Sequence, residues 1–214
     1  MSNLQYLTMH ADNPQPRLIK QAVEILQSGK LIAYPTDSTY ALGCALHSKD
    51  AINTLRQLRD LKENHPLTLI CSSISEVSHY CAVNNQAFAI LKQSTPGPFT
   101  FILPANKEVP RPAQGIKRRV VGIRIPDHPI VAALVSALGT PLISSTLWLE
   151  GDEYPLCDPQ EILQKTRGKV SLILDAGMGH EEPTTVIDLT GNEPELIREG
   201  KGDLNGFNFS KAKK

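Results

Sequence analysis

The chain contains 214 residues, of which 41% are hydrophobic, and its 22 basic and 22 acidic side chains give a formal net charge of zero. A chain of this length forms one globular domain with a sizeable core, and zero net charge argues against a DNA-coating or polybasic membrane-binding protein. The charge is nevertheless unevenly distributed. Six cations and one acid lie between Lys107 and Arg124, whereas residues 150–161 carry five acids and no cation.

The cysteines and the apolar runs bear on the compartment. The four cysteines stand apart with no C-x-x-C pair, so we expect free thiols in a reducing environment. Residues 1–11 lack the basic and apolar segments of a signal peptide, and no apolar run approaches the roughly 20 residues that span a bilayer. These features predict a soluble cytoplasmic protein.

Helices and strands alternate through the first two thirds of the chain, and strands cluster near its end. Apolar residues at helical spacing and Gly29 define the first helix, over residues 16–28. Further helices are predicted over 48–60, 75–80, 85–93 and 130–138 and from Asp158, and strands over 31–34, 67–71, 99–103, 120–125, 142–147, 170–174, 185–189 and 195–198. The predicted class is α/β, a single domain over residues 14–202 with a twisted mixed sheet flanked by helices, followed by a flexible tail over 203–214.

A run of hydroxyls and one carboxylate follows the first predicted strand, at residues 34–43. Strand ends in α/β sheets open into the crevice where ligands bind, and hydroxyls hold polar groups there without adding charge. The alternative is a plain turn in which Asp37 and Ser38 bond their own backbone. Similar hydroxyl runs at residues 141–146 and 183–188 suit phosphate or carboxylate, but also occur as ordinary strand ends.

Several arginines occupy unusual positions. Arg56 and Arg59 surround the end of the second predicted helix with Lys62, although most such clusters are solvated faces. Arg124 lies inside an apolar β run and Arg198 ends another short strand. An unpaired buried guanidinium is costly, so each needs an anionic ligand or a structural ion pair.

Familiar catalytic motifs are missing from the sequence. It has no P-loop, no G-x-G-x-x-G, no H-E-x-x-H and no G-x-S-x-G. The six histidines are scattered and none stands at metal-ligand spacing with a cysteine, so no metal site is predicted.

Six segments, taken together and in order, resemble the YrdC-like family, which includes the threonylcarbamoyl-AMP synthases, and most closely its YciO branch. They are residues 34–43 (YPTDSTYALG), 65–67 (HPL), 96–100 (PGPFT), 122–126 (GIRIP), 141–146 (PLISST) and 184–188 (TTVID). The resemblance extends from about Leu18 to Gly202. It implies an α/β twisted sheet with a large, positively charged concave cleft associated with nucleotides and double-stranded RNA.

The resemblance also implies an activity and its residues. The synthases combine ATP, L-threonine and bicarbonate into threonylcarbamoyl-adenylate, release pyrophosphate with the help of Mg²⁺, and so supply a tRNA modification. No protein nucleophile is required. By matching positions, the amino-acid end of the cleft would be lined by Thr36, Tyr40, Arg124 and Thr184. The nucleotide and its phosphates would face Arg59, Ser144, Thr146 and Arg198.

Two departures from the synthase pattern predict weakened or altered activity. The synthases carry a K-x-R pair where this chain has Arg59 followed by Leu61, so one phosphate-facing cation is lost. They also carry an S-x-N where this chain has Thr146 and Trp148, so a bidentate amide becomes a donor-only indole. Each loss would cost about 2 to 4 kcal/mol of transition-state stabilisation.

A non-catalytic protein that binds nucleotide, tRNA or double-stranded RNA is the alternative. The cation-rich run would then contact phosphates, and affinity would fall steeply with salt. The residues expected to do so are Arg111, Lys117, Arg118 and Arg119.

Overall fold

A computed structural model describes residues 4–115 and 117–207. The strands of this part form one mixed sheet in the spatial order β1-β8-β2-β3-β7-β4-β6-β5-β9-β10. They are β1 Gln5–Thr8, β2 Ile32–Tyr34, β3 Ala41–Ala45, β4 Thr68–Ile70, β5 Phe99–Pro104, β6 Val120–Arg124, β7 Leu142–Thr146, β8 Leu172–Asp175, β9 Thr185–Asp188 and β10 Glu195–Arg198. Both parallel and antiparallel pairs occur along this order, which confirms the mixed α/β class.

The α-helices lie where helical periodicity places them. They are α1 Pro16–Gln27, α2 Lys49–Leu58, α3 Ile74–Tyr80, α4 Asn85–Ser94, α5 Pro129–Leu138 and α6 Pro159–Lys165, with one 3-10 turn, Arg111–Ala113. Local signals set several of their ends. The Asp158 side chain accepts a hydrogen bond from the Gln160 amide at the start of α6, and Gly139 adopts a left-handed conformation after α5.

One face of the sheet is covered along most of its width by α2, α3, α4 and α6. The apolar residues on this face alternate along each strand with those on the other, as Leu69 and Ile143 do on adjacent strands. Among the described residues, the opposite face is covered by α1 and α5, whose apolar stripes pack on Ile32, Ile70 and Leu142. This second layer extends over only one half of the face.

The remaining half of that face is open. It lies on β4, β5, β6, β9 and the end of β7, and its outward side chains are small or polar rather than large and apolar. Thr68 and Ser144 belong to it, two residues along their strands from Ile70 and Leu142 beneath the helices. The missing helical cover therefore leaves a cleft whose floor is the sheet itself.

Strands β1 and β3 were not predicted. Strand β3 reads Ala-Leu-Gly-Cys-Ala, a composition with little β preference, yet it is central in the sheet and pairs with β2 and β7. Gly43 is required there because an added Cβ would lie 2.7 Å from the ring of Tyr34. Tertiary packing, rather than local propensity, therefore makes this segment a strand.

Strand β10 contains a bulge. Leu196 lies opposite Ile187 and Arg198 lies opposite Val186, so Ile197 is an extra residue in the pair. In a regular antiparallel pair Arg198 would share a side of the sheet with Thr185. The bulge instead turns Arg198 to the side of Val186, which is the side of the cleft.

The segment after β10 returns along the sheet. The ring of Phe207 lies 5.7 Å from that of Phe99, centroid to centroid. Residues 208–214 of the predicted tail lie outside the described residues. Across 4–115 and 117–207, the helices are all too short or too polar to cross a bilayer.

Candidate functional site

The open half of the sheet forms a cleft of about 460 Å³. Its floor is made by alternate residues of neighbouring strands, and its walls by the ends of α2, β7 and β10. The residues that line it are Arg59, His65, Pro66, Thr68, Thr100, Ile102, Gly122, Ser144, Ser145, Thr146, Trp148, Thr184, Val186, Ile197 and Arg198. Five of the eight ligand-facing residues predicted from the sequence therefore lie together here.

Gly122 lies in the floor of the cleft, at a position where no larger residue fits. A Cβ at this position would lie 2.7 Å from Thr68 Oγ1, 3.3 Å from the Leu67 carbonyl oxygen and 3.4 Å from Thr100 Cγ2. These distances are too short for any side chain without displacement of the neighbours. The absence of a side chain at Gly122 thus lets the two threonines pack over β6 as part of the cleft floor.

Arg59 forms one cationic wall of the cleft. It follows α2, and its Nε donates to Ser145 Oγ at 3.3 Å. Burial lowers the pKa of the guanidinium to about 10, and the nearby Asp152 carboxylate opposes this shift. Arg59 therefore remains charged at neutral pH, with donors that its single side-chain contact does not use.

Arg198 forms the facing cationic wall. Its Nε and Nη2 donate to the Thr184 carbonyl oxygen at 3.2 and 2.9 Å, and Thr184 Oγ1 shares a hydrogen bond of 2.8 Å with Thr100 Oγ1. Desolvation, followed by the positive charge of Arg124, lowers the pKa of Arg198. Arg198 and Arg124 are thus close enough to repel each other, and an anion between them would relieve that repulsion.

Arg56 organises the loop that carries His65 and Pro66 into the cleft. Its Nη1 donates to the carbonyl oxygens of His65 and Pro112, and its Nη2 to those of Lys62 and Glu63, at 2.7 to 3.3 Å. This role of Arg56 could not be predicted from the sequence, because a basic residue near a helix end is usually solvated. Its hydrogen-bond partners are carbonyl groups of the loop that follows α2 and of Pro112, which lies 56 residues further along the chain.

The hydroxyls of β7 differ in availability. Ser144 is almost fully buried, and its Oγ bonds the Tyr34 hydroxyl at 2.6 Å and donates to the Leu42 carbonyl oxygen at 3.0 Å. Thr146, two residues further along β7, is half-buried at the end of the strand. Of these two predicted nucleotide contacts, Thr146 is therefore the more accessible.

A second cluster lies beside the cleft, around the loop after β2. Arg124 Nη2 donates to Asp37 Oδ1 at 2.5 Å, to Ser38 Oγ at 3.2 Å and to Thr36 Oγ1 at 3.4 Å. Lys201 Nζ also donates to the Asp37 carbonyl oxygen at 2.6 Å. The structure thus brings Thr36 and Arg124 together, and Arg124 forms an ion pair with Asp37.

The loop around Thr36 has features of both structures considered for its sequence, a plain turn and a ligand-binding strand end. Thr36 Oγ1 bonds the Thr39 carbonyl oxygen and the Ser38 amide, which is local turn bonding. Arg124, in contrast, is 95% buried, and its Nε has no hydrogen-bond partner among the described residues. A buried donor without a partner is costly, and it gives this cluster capacity for an anionic group.

Tyr40 lies apart from the cleft. It is fully buried, its hydroxyl donates to the Gly177 carbonyl oxygen at 2.8 Å and it accepts from the Ala176 amide at 3.2 Å. Burial raises its pKa well above the ordinary tyrosine value. The side chain therefore anchors the loop between β8 and β9.

The basic residues predicted to contact RNA lie on a tight turn before β6. Lys117, Arg118 and Arg119 are exposed, and the Arg119 amide donates to the Gly115 carbonyl oxygen to close the turn. Arg118 Nη1 lies 3.5 Å from Asp188 Oδ2. Arg111 is also exposed, in the 3-10 turn. This surface adjoins the cleft, since an added Cβ on Gly115 would contact the Asn64 carbonyl and Pro66.

Metal-ligating groups are scattered in the structure. Among residues 4–115 and 117–207, no three His, Cys, Asp or Glu side chains converge closely enough to hold a metal ion.

Three known proteins resemble this chain along nearly its full length. The YciO protein of Escherichia coli K12 is 47% identical over 203 residues, which are 95% of this chain and 98% of YciO, and its crystal structure superposes with a TM-score of 0.91. A threonylcarbamoyl-AMP synthase of Serratia proteamaculans is 32% identical over 182 residues, 83% of this chain and 94% of the synthase. P. abyssi Sua5, crystallised with L-threonine, is 25% identical with a TM-score of 0.84, and the match covers 91% of this chain and 57% of Sua5.

A family model agrees with these relatives. The model for Sua5, YciO and YrdC proteins, described as "Telomere recombination", matches residues 24–200. This span includes the open half of the sheet and both of its cationic walls. The chain therefore belongs to the Sua5/YciO/YrdC family.

Proposed function

We propose that this protein is an L-threonylcarbamoyladenylate synthase-like enzyme of weakened activity, which uses ATP, L-threonine and bicarbonate and contributes to tRNA modification. The observation that carries the proposal is the cleft, in which Arg59 and Arg198 face a floor of hydroxyls and exposed backbone. The related threonylcarbamoyl-AMP synthase and the Sua5 structure with L-threonine support this choice of substrates.

The reaction suits a site without a protein nucleophile. The threonine amine attacks the carbon of bicarbonate to give a carbamate, with loss of water. A carbamate oxygen then attacks the α-phosphorus of the magnesium–ATP complex, an O–P bond forms, and pyrophosphate leaves with the bridging oxygen. Negative charge develops on phosphate oxygens, where the guanidinium groups of Arg59 and Arg198 can stabilise it.

The amino-acid end of the substrate would lie toward the Thr36 loop. Arg124 has a buried donor without a partner, and Lys201 Nζ uses one of its three donors on Asp37. Both cations are adjacent to the cleft wall, because the Lys201 amide donates to the Pro183 carbonyl oxygen just before Thr184. A threonine carboxylate would compensate this excess of positive charge.

Weakened activity follows from the cations that are missing. Leu61 supplies no charge beside Arg59, and Lys62 is exposed. Arg56 cannot replace the lost cation, because both of its terminal nitrogens are bonded to backbone carbonyls. We therefore expect product to form, but about 30- to 1,000-fold more slowly than with a complete pair, corresponding to about 2 to 4 kcal/mol.

Mass spectrometry of products tests the proposal. The purified protein is incubated with ATP, Mg²⁺, bicarbonate and L-threonine, then with each other common amino acid in turn. We expect threonylcarbamoyl-adenylate and stoichiometric pyrophosphate, with a fall of about 100-fold for Arg198→Ala. Arg167→Ala, which removes the same charge from an exposed surface outside the cleft, should have no effect. Absence of any amino-acid carbamoyl-adenylate would refute the proposal.

The second candidate is a non-catalytic protein that binds tRNA or double-stranded RNA. Exposure of Lys117, Arg118 and Arg119 on one turn beside the cleft favours it. Replacing Lys117 and Arg119 by alanine should weaken RNA binding and reduce the slope of log affinity against log salt by about two. The double replacement of Arg167 and Lys169 is the matched control for charge, and equal effects of both pairs would contradict a specific RNA surface.

A further inference from the structure

The cleft contains the chain's single tryptophan. Trp148 is half-buried two residues after β7, and its indole Nε1 donates to the Asp152 carbonyl oxygen at 2.9 Å. The indole has no other polar group, so this bond uses its entire hydrogen-bonding capacity. Any contact from Trp148 to a ligand must therefore be made by the aromatic ring itself.

The loop around Trp148 fixes the orientation of the ring. The Trp148 amide donates to the Thr146 carbonyl oxygen at 3.0 Å, and the Leu156 amide donates to the Leu147 carbonyl oxygen at 2.8 Å. The Asp152 amide also donates to the Leu149 carbonyl oxygen at 3.2 Å. These bonds close the loop behind the indole, so little side-chain entropy is lost when a flat ligand stacks on it.

Apolar and cationic groups accompany the ring. The cleft is also lined by Pro66, Ile102, Val186 and Ile197, which offer surface but no hydrogen bonds. Arg59 is linked to the same loop, since the charge of Asp152 acts on its guanidinium. A flat aromatic group joined to anionic phosphates matches this combination of surfaces.

We propose that Trp148 is the base-stacking residue of the cleft, and that the cleft selects nucleotides by their phosphates and a flat base rather than by the edges of the base. This inference deepens the proposed function, because it assigns the base end of the same site. ATP and GTP should consequently bind with similar affinity, since every base has an aromatic face and the indole N–H is unavailable to distinguish base edges.

Binding measurements test this assignment directly. Because the protein has one tryptophan, its intrinsic fluorescence reports occupancy at Trp148, and both nucleotides should change it whereas inorganic tripolyphosphate should change it little. Calorimetry then compares Trp148→Phe and Trp148→Ala with the intact protein. We expect Trp148→Ala to weaken ATP and GTP about tenfold each, and Trp148→Phe to stay within about threefold. Tripolyphosphate affinity should be unchanged, and Phe88→Ala, at an exposed aromatic outside the cleft, should match the intact protein.

Three outcomes would overturn the inference. They are unchanged ATP affinity in folded Trp148→Ala, a preference for ATP over GTP of more than about twentyfold, and no nucleotide binding by the intact protein. Thermal unfolding of each variant confirms that it is folded, and Trp148→Phe guards against a general loss of packing. Failure of the synthase assay with stacking intact would refute only the proposed reaction, whereas product formation by an unaffected Trp148→Ala variant would refute only the stacking.

Discussion

Replacing Asp37 by alanine should destabilise the protein far more than the loss of an ordinary ion pair. The Asp37 and Arg124 side chains are only 9% and 6% exposed, and Asp37 Oδ1 lies 2.5 Å from Arg124 Nη2. Asp37 Oδ2 also accepts from the Asp127 amide at 2.9 Å. The substitution therefore leaves a buried guanidinium whose Nε already has no partner in the described part of the chain.

The size of the effect follows from this burial. Removing one partner of a buried pair costs about 3–5 kcal/mol, because the remaining charge cannot be hydrated. For a chain of about 200 residues, each 1 kcal/mol lowers the melting temperature by about 2–4 °C, so the expected fall is about 6–20 °C. Urea unfolding should show a lower midpoint with an unchanged slope, since the surface exposed on unfolding is the same.

Two further variants separate this explanation from a general loss of packing. Arg118→Ala breaks a pair with Asp188 whose guanidinium is 73% exposed, and should cost about 0–1 kcal/mol. The double variant Asp37→Asn with Arg124→Gln removes both charges and should recover a large part of the stability lost in Asp37→Ala. A loss below about 1 kcal/mol in Asp37→Ala would refute the reasoning.

Three other predictions follow from single side chains. Arg56→Lys should lower the free energy of unfolding by about 1–3 kcal/mol and speed hydrogen exchange in residues 62–65, because an ammonium cannot bond four carbonyls at once. Gly122→Ala should cost about 1–3 kcal/mol and weaken nucleotide binding in calorimetry, whereas Gly191→Ala, whose nearest neighbour would be 3.5 Å away, should change neither. At pH 8 a thiol reagent should modify Cys157 first, because its thiol is partly exposed whereas the other three are buried. Burial raises the pKa of all four thiols, so the reaction should be slow, and rapid reaction of more than one would contradict this.

The elements with strong periodic patterns could be predicted from the sequence. The stripe of α1 and the alternation in β5 and β6 are carried by large apolar residues whose spacing does not depend on distant contacts. Strand β3 could not be predicted, because its small residues are selected by the ring of Tyr34 and by two neighbouring strands. Its sequence therefore reflects what it packs against rather than a preference of its own.

Some features of the candidate site could likewise be predicted from the sequence, and others could not. Arg59 and Arg198 could be identified as cations near one cleft, because the resemblance to the family implied it at matching positions. The partner of Arg124 could not be deduced, since Asp37 is 87 positions away and the sequence alone left both an anionic ligand and a structural ion pair open. The hydrogen bond from the Trp148 indole to the Asp152 carbonyl oxygen could not be predicted either, because any nearby carbonyl could have accepted it.

The bulge in β10 gives the pairing register of one short strand a functional meaning. A chain of the same length that paired β9 and β10 regularly would contain every side chain of the cleft and would retain its apolar core, with Arg198 opposite Thr185. Its arginine would nevertheless project through the other surface of the sheet, because each step along a strand reverses the direction of the side chain. A change of register in this strand pair can therefore remove one cationic wall while every ligand-facing residue is still present in the sequence.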